Sequence, residues 1–406
     1  MKSILILLVA SWTTLSLAFA TSRRDPFLSH HHMVRGGGGG GDTSNPAGEL
    51  VSTLAKLDQN WIIQQQAQGP KSRWTKLLLP TNTTEPTSEE LPSSTATPDD
   101  FVYLLEPPSS TIPSCLICFL GGAGLGQFPH IAYSEFLMRL STKLNAAILT
   151  APYQVGLDHF SIAKQAGERL RRAVLYCEDD PKRQYPSTLP TYCLGHSLGG
   201  KLHTIYIGAT GQDYEGIGFI AYNNFGFAQT IRMAREFAAE IRNTRSTGGS
   251  ASEMLNAVFN VAEMAIETLG VEFTPSPGDT NVIISKKYTK GEKSRLFVFD
   301  NDTLDSSRTF LDACTNTPTI AALPGSHLTP VFFKLGLDDL DLPDEAKEIA
   351  AGAIGGVETA SFGNEQELKV LVDEVAAFVL GKGPSRQPSW TVGGQPRISA
   401  GKTESQ

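Results

Sequence analysis

The stretch CLGHSLGGKLHTI, residues 193–205, joins an apolar segment to a helical pattern through one short turn. Ser197 lies in that turn, with Gly195 two residues before it and Gly199 two residues after it. The segment before the turn has the composition of a buried strand, and the residues after it suit a helix. Such a sharp turn needs small residues around its central side chain, because the backbone and neighbouring strands crowd there. The spacing therefore predicts a strained strand–turn–helix unit, typical of a nucleophile elbow, with the Ser197 hydroxyl exposed.

Glycine spacing of this kind also occurs by chance, so the surrounding pattern has to decide what the turn belongs to. Apolar, strand-like runs occur at SCLICFL, AAILTAPY, GIGFIAYNNF and RLFVF, and helical patterns occur at YSEFLMRLSTKL and SIAKQAGERLRRAVLYC. Strands that alternate with helices along the chain form a parallel sheet covered by helices on both faces. The sequence therefore predicts an α/β fold with a mostly parallel sheet.

Composition divides the 406 residues into three predicted parts. Residues 1–45 have a basic start, an apolar run and a basic, glycine-rich stretch, which predicts a targeting leader made of a signal peptide and a transit-like segment. Residues 46–381 are predicted as one domain. Within it, two helical patterns joined by a Gly- and Ser-rich loop predict a cap at about 226–272. Residues 382–406 are predicted as a disordered tail.

The leader also indicates a destination. Its apolar core is too short to predict a membrane span, and small residues near Ala18 and Ala20 resemble a signal-peptide cleavage site. The pair Ala18 and Phe19 resembles the bipartite plastid-targeting signals of diatoms and related algae, in which a phenylalanine follows the cleavage point. We expect delivery to the plastid (chloroplast), with no transmembrane span in the mature protein. Plain secretion is the alternative.

Charge and cysteine usage argue against nucleic-acid binding, a disulfide framework and a metal site. A formal net charge of -8 leaves no basic surface for nucleic acid, so no nucleic-acid partner is expected. The five cysteines are odd in number and three lie in apolar, strand-like runs, so no disulfide framework is predicted. Cys115 and Cys118 have the spacing of a redox or metal pair, but side-chain alternation places them on opposite faces of one strand. No metal site is expected.

A serine exposed on such a turn needs a base and an orienting acid, which in α/β-hydrolases follow it in the order acid, then histidine. Asp302 follows the apolar run RLFVF, and His327 follows the next strand, from which its imidazole can lean toward Ser197. Asp302 is the predicted acid. Asp305 is the alternative, although its carboxylate is well placed to cap the following helix. For His327 the alternative is a structural role within its loop.

Two backbone N–H groups are predicted to stabilise negative charge beside Ser197. Leu198 opens the helix, where the dipole and the free N–H groups favour an oxyanion. The second N–H is assigned to Gly122, in the glycine-rich loop after the strand SCLICFL. That loop resembles a phosphate cradle, but it lacks the Lys-Ser/Thr ending of a P-loop. No organic cofactor is therefore expected.

Seven stretches together resemble one family. They are FLGGAGLGQFPHIAYSEFL, TAPYQVGLDHFSIA, LGHSLGGKLH, YNNF, EFTPSP, DNDTLDSS and PGSHLTPV, all within about residues 70–335. These stretches are similar to those of the domain of unknown function 1350 family, which occurs in cyanobacteria and photosynthetic eukaryotes, often in plastids. The resemblance implies the α/β-hydrolase fold, here with a helical cap insertion. It brings no substrate and no role for YNNF or FTPSP, and this chain has Ser306 where the family is expected to have Gln.

The leading hypothesis is a serine hydrolase acting on a small-molecule carboxylic ester or thioester. The GHSLGG turn resembles that of lipases, and together with the apolar cap helices it favours a lipid-derived substrate. Ser197 attacks, His327 transfers the proton, and water then releases the acyl group. The alternative is a non-catalytic binding or assembly protein of the plastid with the same fold. A lyase or transferase at the same site is a further alternative.

We expect residues 1–45, fused to a fluorescent protein, to enter the plastid of an alga with a complex plastid. Phe19→Ala in this fusion is expected to divert it to an earlier secretory compartment, because the residue after the cleavage point is then lost as a signal. Fluorescence microscopy of both fusions measures the outcome. Secretion of the unmodified fusion would contradict the plastid prediction and favour the plain signal peptide.

Overall fold

The computed structural model describes residues 54–64, 73–80, 100–109, 112–230, 271–336, 359–390 and 396–397. The predicted leader and residues 231–270 of the predicted cap lie outside these ranges. The chain divides into two compact units, one of residues 1–59 with 226–272 and the other of residues 60–225 with 273–406. In the described part of the first unit, the N–H of Phe227 donates to a Glu272 carboxylate oxygen at 2.7 Å.

The second unit is built on an eight-stranded sheet. Its strands are, in chain order, β1 (Trp74–Leu78), β2 (Phe101–Leu105), β3 (Leu116–Leu120), β4 (Ala147–Thr150), β5 (Thr191–His196), β6 (Gly216–Ile220), β7 (Ser294–Phe299) and β8 (Thr319–Leu323). The spatial order is β1-β2-β4-β3-β5-β6-β7-β8. β2 pairs antiparallel with β1 and with β4, whereas all pairs from β4 through β8 are parallel.

Helices follow the strands as the alternation predicts. They are α1 (54–64), α2 (Pro129–Ala132), α3 (Ser134–Leu144), α4 (His159–Asp179), α5 (Leu198–Thr210), α6 (Pro277–Lys286), α7 (Ser307–Ala313) and α8 (Glu365–Val379). Asp158 caps α4 by accepting the N–H of Ser161 at 2.9 Å, and Ser276 caps α6 by accepting the N–H of Asp279 at 3.1 Å. Side-chain oxygens at these positions satisfy N–H groups that have no partner within the helix.

Four strands of the main sheet are buried along their whole length. Every residue of β3, β4, β6 and β7 is buried. A strand covered by helices on both faces must be apolar throughout rather than at alternate positions, which explains runs such as LICFL and GIGFI. A mostly parallel sheet of this order, with crossover helices, is the α/β-hydrolase fold, and the predicted fold class is confirmed.

Thiol chemistry plays no structural part in this core. All five cysteines are free. Burial raises the pKa of Cys115 to about 11 and the pKa of Cys118 to about 12, so both remain thiols at neutral pH. Cys118 lies in the hydrophobic core of the sheet, where a thiol behaves as a small apolar side chain.

Four further strands, in two pairs, follow the main sheet in the chain. β9 (Phe333–Gly336) pairs antiparallel with β10 (Thr359–Phe362), and β11 (Ser389–Trp390) pairs antiparallel with β12 (Pro396–Arg397). The segment that begins at Lys382, predicted as a tail, contacts the sheet where it is described. The carbonyl of Arg386 accepts the N–H of Ala322 in β8 at 3.0 Å. None of the described helices combines the length and the apolar character needed to span a bilayer.

Candidate active site

The turn between β5 and α5 is strained, as the glycine spacing predicts. Ser197 has φ 53° and ψ -122°, a conformation that non-glycine residues rarely adopt. Gly199 allows the turn to pack against β3, because a Cβ there would lie 2.2 Å from the carbonyl oxygen of Leu120. Gly195 is equally restricted, since its Cβ would lie 2.6 Å from the backbone nitrogen of Gly200. The two glycines therefore permit the backbone path that presents the Ser197 side chain.

The structure brings Ser197, His327 and Asp302 into one hydrogen-bonded chain. His327 Nε2 lies 2.9 Å from Ser197 Oγ, and His327 Nδ1 lies 2.9 Å from Asp302 Oδ2. A carboxylate only accepts, so His327 carries its proton on Nδ1 and offers a lone pair on Nε2 to the serine hydroxyl. The side chain of Asp302 is fully buried, and that of His327 keeps 10% exposure. Ser197 as a residue is buried, with 6% exposure.

Three neighbouring aspartates have different hydrogen-bond partners. Asp302 Oδ1 accepts the N–H of Leu304 at 2.7 Å, which leaves Oδ2 for His327. Asp305 accepts the N–H of Ser307 at 2.6 Å at the start of α7, the helix-capping position that the sequence suggested for it. Asp300 accepts the N–H of Gly325 at 3.0 Å. Of the two acids that the sequence left open, Asp302 is the one in contact with the imidazole.

The YNNF motif holds the loop that carries Asp302. The N–H of Ser306 donates to the carbonyl oxygen of Tyr222 at 2.6 Å, and the N–H of Asn224 donates to Ser306 Oγ at 3.1 Å. Asn224 Nδ2 also donates to Asn281 Oδ1 at 3.0 Å. The motif had no role in the sequence analysis, because its partners lie far away along the chain. Ser306, the position that departs from the family expectation, makes two of these contacts.

The FTPSP and GLDHFS motifs meet beside α5. The N–H of Phe160 donates to the carbonyl oxygen of Thr274 at 2.9 Å, and the ring of His159 stacks on Phe273 with 4.1 Å between centroids. The ammonium group of Lys201, in α5, lies 3.4 Å from the carbonyl oxygen of Pro275. Burial, aided by the charge of Lys201, lowers the pKa of His159 to about 3, so this histidine is neutral. These motifs therefore support the helix that follows Ser197.

The two predicted oxyanion donors differ in their hydrogen bonding. Leu198 is the first residue of α5, and its N–H has no acceptor in the part of the chain that the structure describes. Gly122, in contrast, donates its N–H to Tyr133 Oη at 2.8 Å, so in this structure the N–H predicted as a donor to the oxyanion already has an acceptor. The next N–H along the loop belongs to Ala123, an exposed residue, and has no acceptor among the described residues.

The contact that engages the Gly122 N–H joins residues 11 positions apart in the chain. Tyr133, between α2 and α3, is fully buried, and a Cβ on Gly121 would lie 2.5 Å from its ring. The glycine-rich loop therefore lies directly on the phenol, which reaches the Gly122 N–H. Sequence reasoning missed Tyr133 because an aromatic residue at the start of a helical pattern has the appearance of an ordinary core residue.

A metal is not needed to explain the cluster of polar side chains. Within the described ranges there is no group of three or more His, Cys, Asp or Glu side chains arranged to hold a metal ion. The polar atoms of the site are satisfied by one another: Asp302 by Leu304 and His327, and His327 by Asp302 and Ser197. The arrangement is that of an activated hydroxyl with a base and an orienting acid.

Comparison with known proteins identifies the family of this chain. Residues 103–338 match the family model described as "Protein of unknown function (DUF1350)". The chain belongs to this family. Comparison with curated proteins gave no match.

Several solved structures are similar to this DUF1350 protein at low identity. Esterase B from Lactobacillus rhamnosis, inhibited by a C6-C4 SN3 compound, is 12% identical, covering 82% of this chain and 100% of its own, with a TM-score of 0.37. The peroxisomal α/β-hydrolase of Saccharomyces cerevisiae is 11% identical over 74% and 94% of the chains, with a TM-score of 0.36. A fluorophosphonate-binding serine hydrolase of Staphylococcus aureus is 12% identical over 63% and 91%, with a TM-score of 0.38. The activity must therefore be argued from the residues of the chain itself.

Asp305 is expected to make stability depend on pH. Burial, followed by the charge of Asp302, raises the pKa of Asp305 to about 7, above the value of about 3.9 expected in an unfolded chain. The folded state binds this proton more tightly, so the resulting stabilisation is fully present below about pH 4 and is lost as the pH rises through about 7. We expect Asp305→Asn, which keeps an acceptor for Ser307, to lose less stability than the wild type over this interval.

Urea unfolding at a series of pH values measures this difference. Asp312→Asn is the matched control and is expected to follow the wild-type curve, because Asp312 is an exposed residue of α7, the helix that follows Asp305, and pairs with Arg308. Parallel curves for the wild type and Asp305→Asn would contradict the prediction.

Proposed function

We propose that this protein is a serine hydrolase that cleaves a carboxylic ester or thioester at Ser197. The observation that carries the proposal is the position of His327, within 2.9 Å of both the Ser197 hydroxyl and the Asp302 carboxylate. Three polar groups so arranged, with the hydroxyl on a strained turn, satisfy the requirements of a catalytic triad. A structural histidine in this loop would not need a serine held at positive φ.

The reaction follows from the direction of the hydrogen bonds that run from Ser197 through His327 to Asp302. Ser197 Oγ attacks the carbonyl carbon of the substrate while His327 Nε2 takes the hydroxyl proton. Asp302 holds the Nδ1 proton in place and stabilises the imidazolium that forms. The tetrahedral intermediate then expels the alcohol or thiol, which receives the proton from Nε2. A water molecule, deprotonated by His327, attacks the acyl-enzyme and releases the acid.

The negative charge of the tetrahedral intermediate is proposed to lie between the N–H groups of Leu198 and Ala123. Leu198 lies at the positive end of α5, where unpaired N–H groups and the helix dipole act in the same direction. Ala123 replaces Gly122 in this role because the Gly122 N–H is engaged by Tyr133. Leu198 opens α5 and Ala123 lies in the loop after β3, and the close packing of Gly199 on Leu120 keeps the start of the helix next to the end of that strand.

The substrate class and the location of the reaction are further parts of the proposal. A lipid-derived acyl group is proposed from the GHSLGG turn and the apolar pattern of residues 226–272. The plastid is proposed from the Ala18 and Phe19 pair in the leader. These two parts rest on sequence patterns and are separate from the argument about Ser197.

We expect a fluorophosphonate probe to label the purified protein at Ser197, because phosphonylation requires the same activated hydroxyl as acylation. Ser197→Ala is expected to abolish the labelling. Ser285→Ala, which removes an exposed hydroxyl from α6, is the control and is expected to be labelled like the wild type. Intact-mass and peptide mass spectrometry locate the label. A folded wild type that stays unlabelled under conditions that label a control esterase would instead favour a non-catalytic binding protein.

We expect Asp302→Asn to lower turnover of p-nitrophenyl acetate by roughly 10⁴-fold, the size of the effect that the equivalent change has in serine proteases. The physical reason is that an amide donor facing Nδ1 favours the wrong tautomer of His327. Thermal unfolding is expected to change little, because Asn can still accept the Leu304 N–H. Asp300→Asn is the matched control, since Asp300 bonds Gly325 and not His327. A larger loss of turnover in Asp305→Asn than in Asp302→Asn would show that the acid is Asp305.

A further inference from the structure

Two buried side chains outside the triad join its histidine to the glycine-rich loop. Tyr133 Oη lies 2.8 Å from the Gly122 nitrogen and 2.8 Å from His196 Nδ1. His196 Nε2 lies 2.8 Å from the backbone carbonyl oxygen of His327. Tyr133 and His196 are 0% and 1% exposed, so neither side chain exchanges these partners for water. We call this chain, from Gly122 through Tyr133 and His196 to His327, the Tyr–His relay.

The relay has only one possible order of protons. The Gly122 N–H can only donate, and the His327 carbonyl can only accept. His196 must therefore carry its proton on Nε2, and its Nδ1 accepts the Tyr133 hydroxyl proton. Every donor in the relay points toward His327, and every acceptor is used. A buried network that is fully satisfied in one order is rigid, because any reversal leaves two donors or two acceptors facing each other.

Electrostatics favours the same order. Burial, followed by the charge of His327, lowers the pKa of His196 well below its usual value, so His196 stays neutral. Burial raises the pKa of Tyr133, so the phenol keeps its proton. Because His196 is neutral, it does not compete with the imidazolium of His327 that the proposed reaction forms, although the two rings are only 5.1 Å apart.

The relay connects parts of the site that the sheet does not hold together directly. His196 ends β5, next to Ser197, whereas His327 follows β8, three strands away in the sheet order. Gly122 follows β3, on the other side of β5. The sheet therefore fixes the strand ends, but the distance between the His327 loop and Ser197 depends on side chains that connect them. The hydrogen bond from His196 to the His327 carbonyl oxygen is such a connection, and Tyr133 extends it to the loop of Gly122.

We propose that Tyr133 and His196 are positioning residues, which hold the backbone of His327 and the loop containing Gly122 and Ala123 at fixed distances from Ser197. Neither side chain touches the reacting atoms. The relay sets the approach of the base on one side of Ser197 and of the oxyanion donor on the other. This inference rests on the proposed hydrolase function for its kinetic consequences, but the relay itself can be measured without a substrate.

The kinetic test compares four variants in hydrolysis of p-nitrophenyl acetate. Tyr133→Phe and His196→Leu break the relay and are expected to lower kcat by roughly 10- to 100-fold with little change in KM, because small misplacements of catalytic groups are costly. His196→Gln is expected to retain more activity than His196→Leu, since an amide can accept from Tyr133 and donate to His327. Tyr153→Phe is the matched control: Tyr153 is also buried and donates to the carbonyl oxygen of Gly121 at 2.6 Å, but it has no link to His327.

Two kinetic results would overturn the inference. One is that folded Tyr133→Phe has the same kcat as the wild type. The other is an equal loss of kcat in Tyr133→Phe and Tyr153→Phe, which would mean that general loosening of the glycine-rich loop, and not the relay, is responsible. Thermal unfolding of each variant separates loss of folded protein from loss of turnover. His196→Gln and Tyr133→Phe suffice for the comparison if His196→Leu does not fold.

A spectroscopic test separates failure of this inference from failure of the proposed function. If the wild type shows neither esterase activity nor probe labelling, the proposed function is contradicted. Nuclear magnetic resonance of the histidine nitrogens in the ¹⁵N-labelled protein still tests whether the relay exists. We expect His196 to be the Nε2–H tautomer and not to titrate between about pH 5 and 9, where an ordinary histidine does. We expect Tyr133→Phe, but not Tyr153→Phe, to shift the ring signals of His327. An Nδ1–H tautomer of His196, or unshifted His327 signals in Tyr133→Phe, would refute the relay.

Discussion

The contact between Gly199 and the carbonyl oxygen of Leu120 is the constraint on which the site depends. A Cβ at Gly199 would lie 2.2 Å from this oxygen, so the turn can pack this closely on β3 only with glycine at that position, and in this packing Ser197 has a φ of 53°. Such a backbone is tolerated when the surroundings over-determine it. Here the Ser197 N–H donates to the carbonyl oxygen of Ile220 at 2.9 Å, and the turn follows a strand with paired neighbours on both sides. The central sheet thus stabilises the conformation that exposes the hydroxyl.

Parallel strands explain why residues far apart in the chain meet here. Ser197, Asp302 and His327 follow β5, β7 and β8, and the carboxyl ends of parallel strands open on the same edge of the sheet. This geometry is also why the three residues could be predicted from sequence: each directly follows an apolar run, and their order along the chain is the one that the fold requires. The choice of Asp302 over Asp305 depended only on distance from the strand end and the start of the next helix, both of which are local properties.

The parts that the sequence did not predict depend on contacts between distant segments. Gly122 was assigned as an oxyanion donor because loop position is a local property, whereas its engagement by Tyr133 requires knowing where α3 packs. The relay through His196 has the same origin, since a histidine beside the serine gives no indication of its partners. The YNNF motif likewise acquires a role only when Ser306 is brought to Tyr222. Periodicity and strand ends predict which residues share an edge; they do not predict which hydrogen bonds fix that edge.

The pairing of Arg386 with Ala322 matters for how the molecule behaves among its own copies. β8 is the last strand of the sheet, and a terminal strand carries backbone groups that can pair with the strand of another molecule. The chain that follows α8 returns to this strand, where the carbonyl oxygen of Arg386 accepts the Ala322 N–H at 3.0 Å. The guanidinium group of Arg295 also donates to the carbonyl oxygen of Lys382 at 2.6 Å. The polypeptide thereby covers part of its own sheet edge, which protects crowded or newly folded molecules against joining edge to edge.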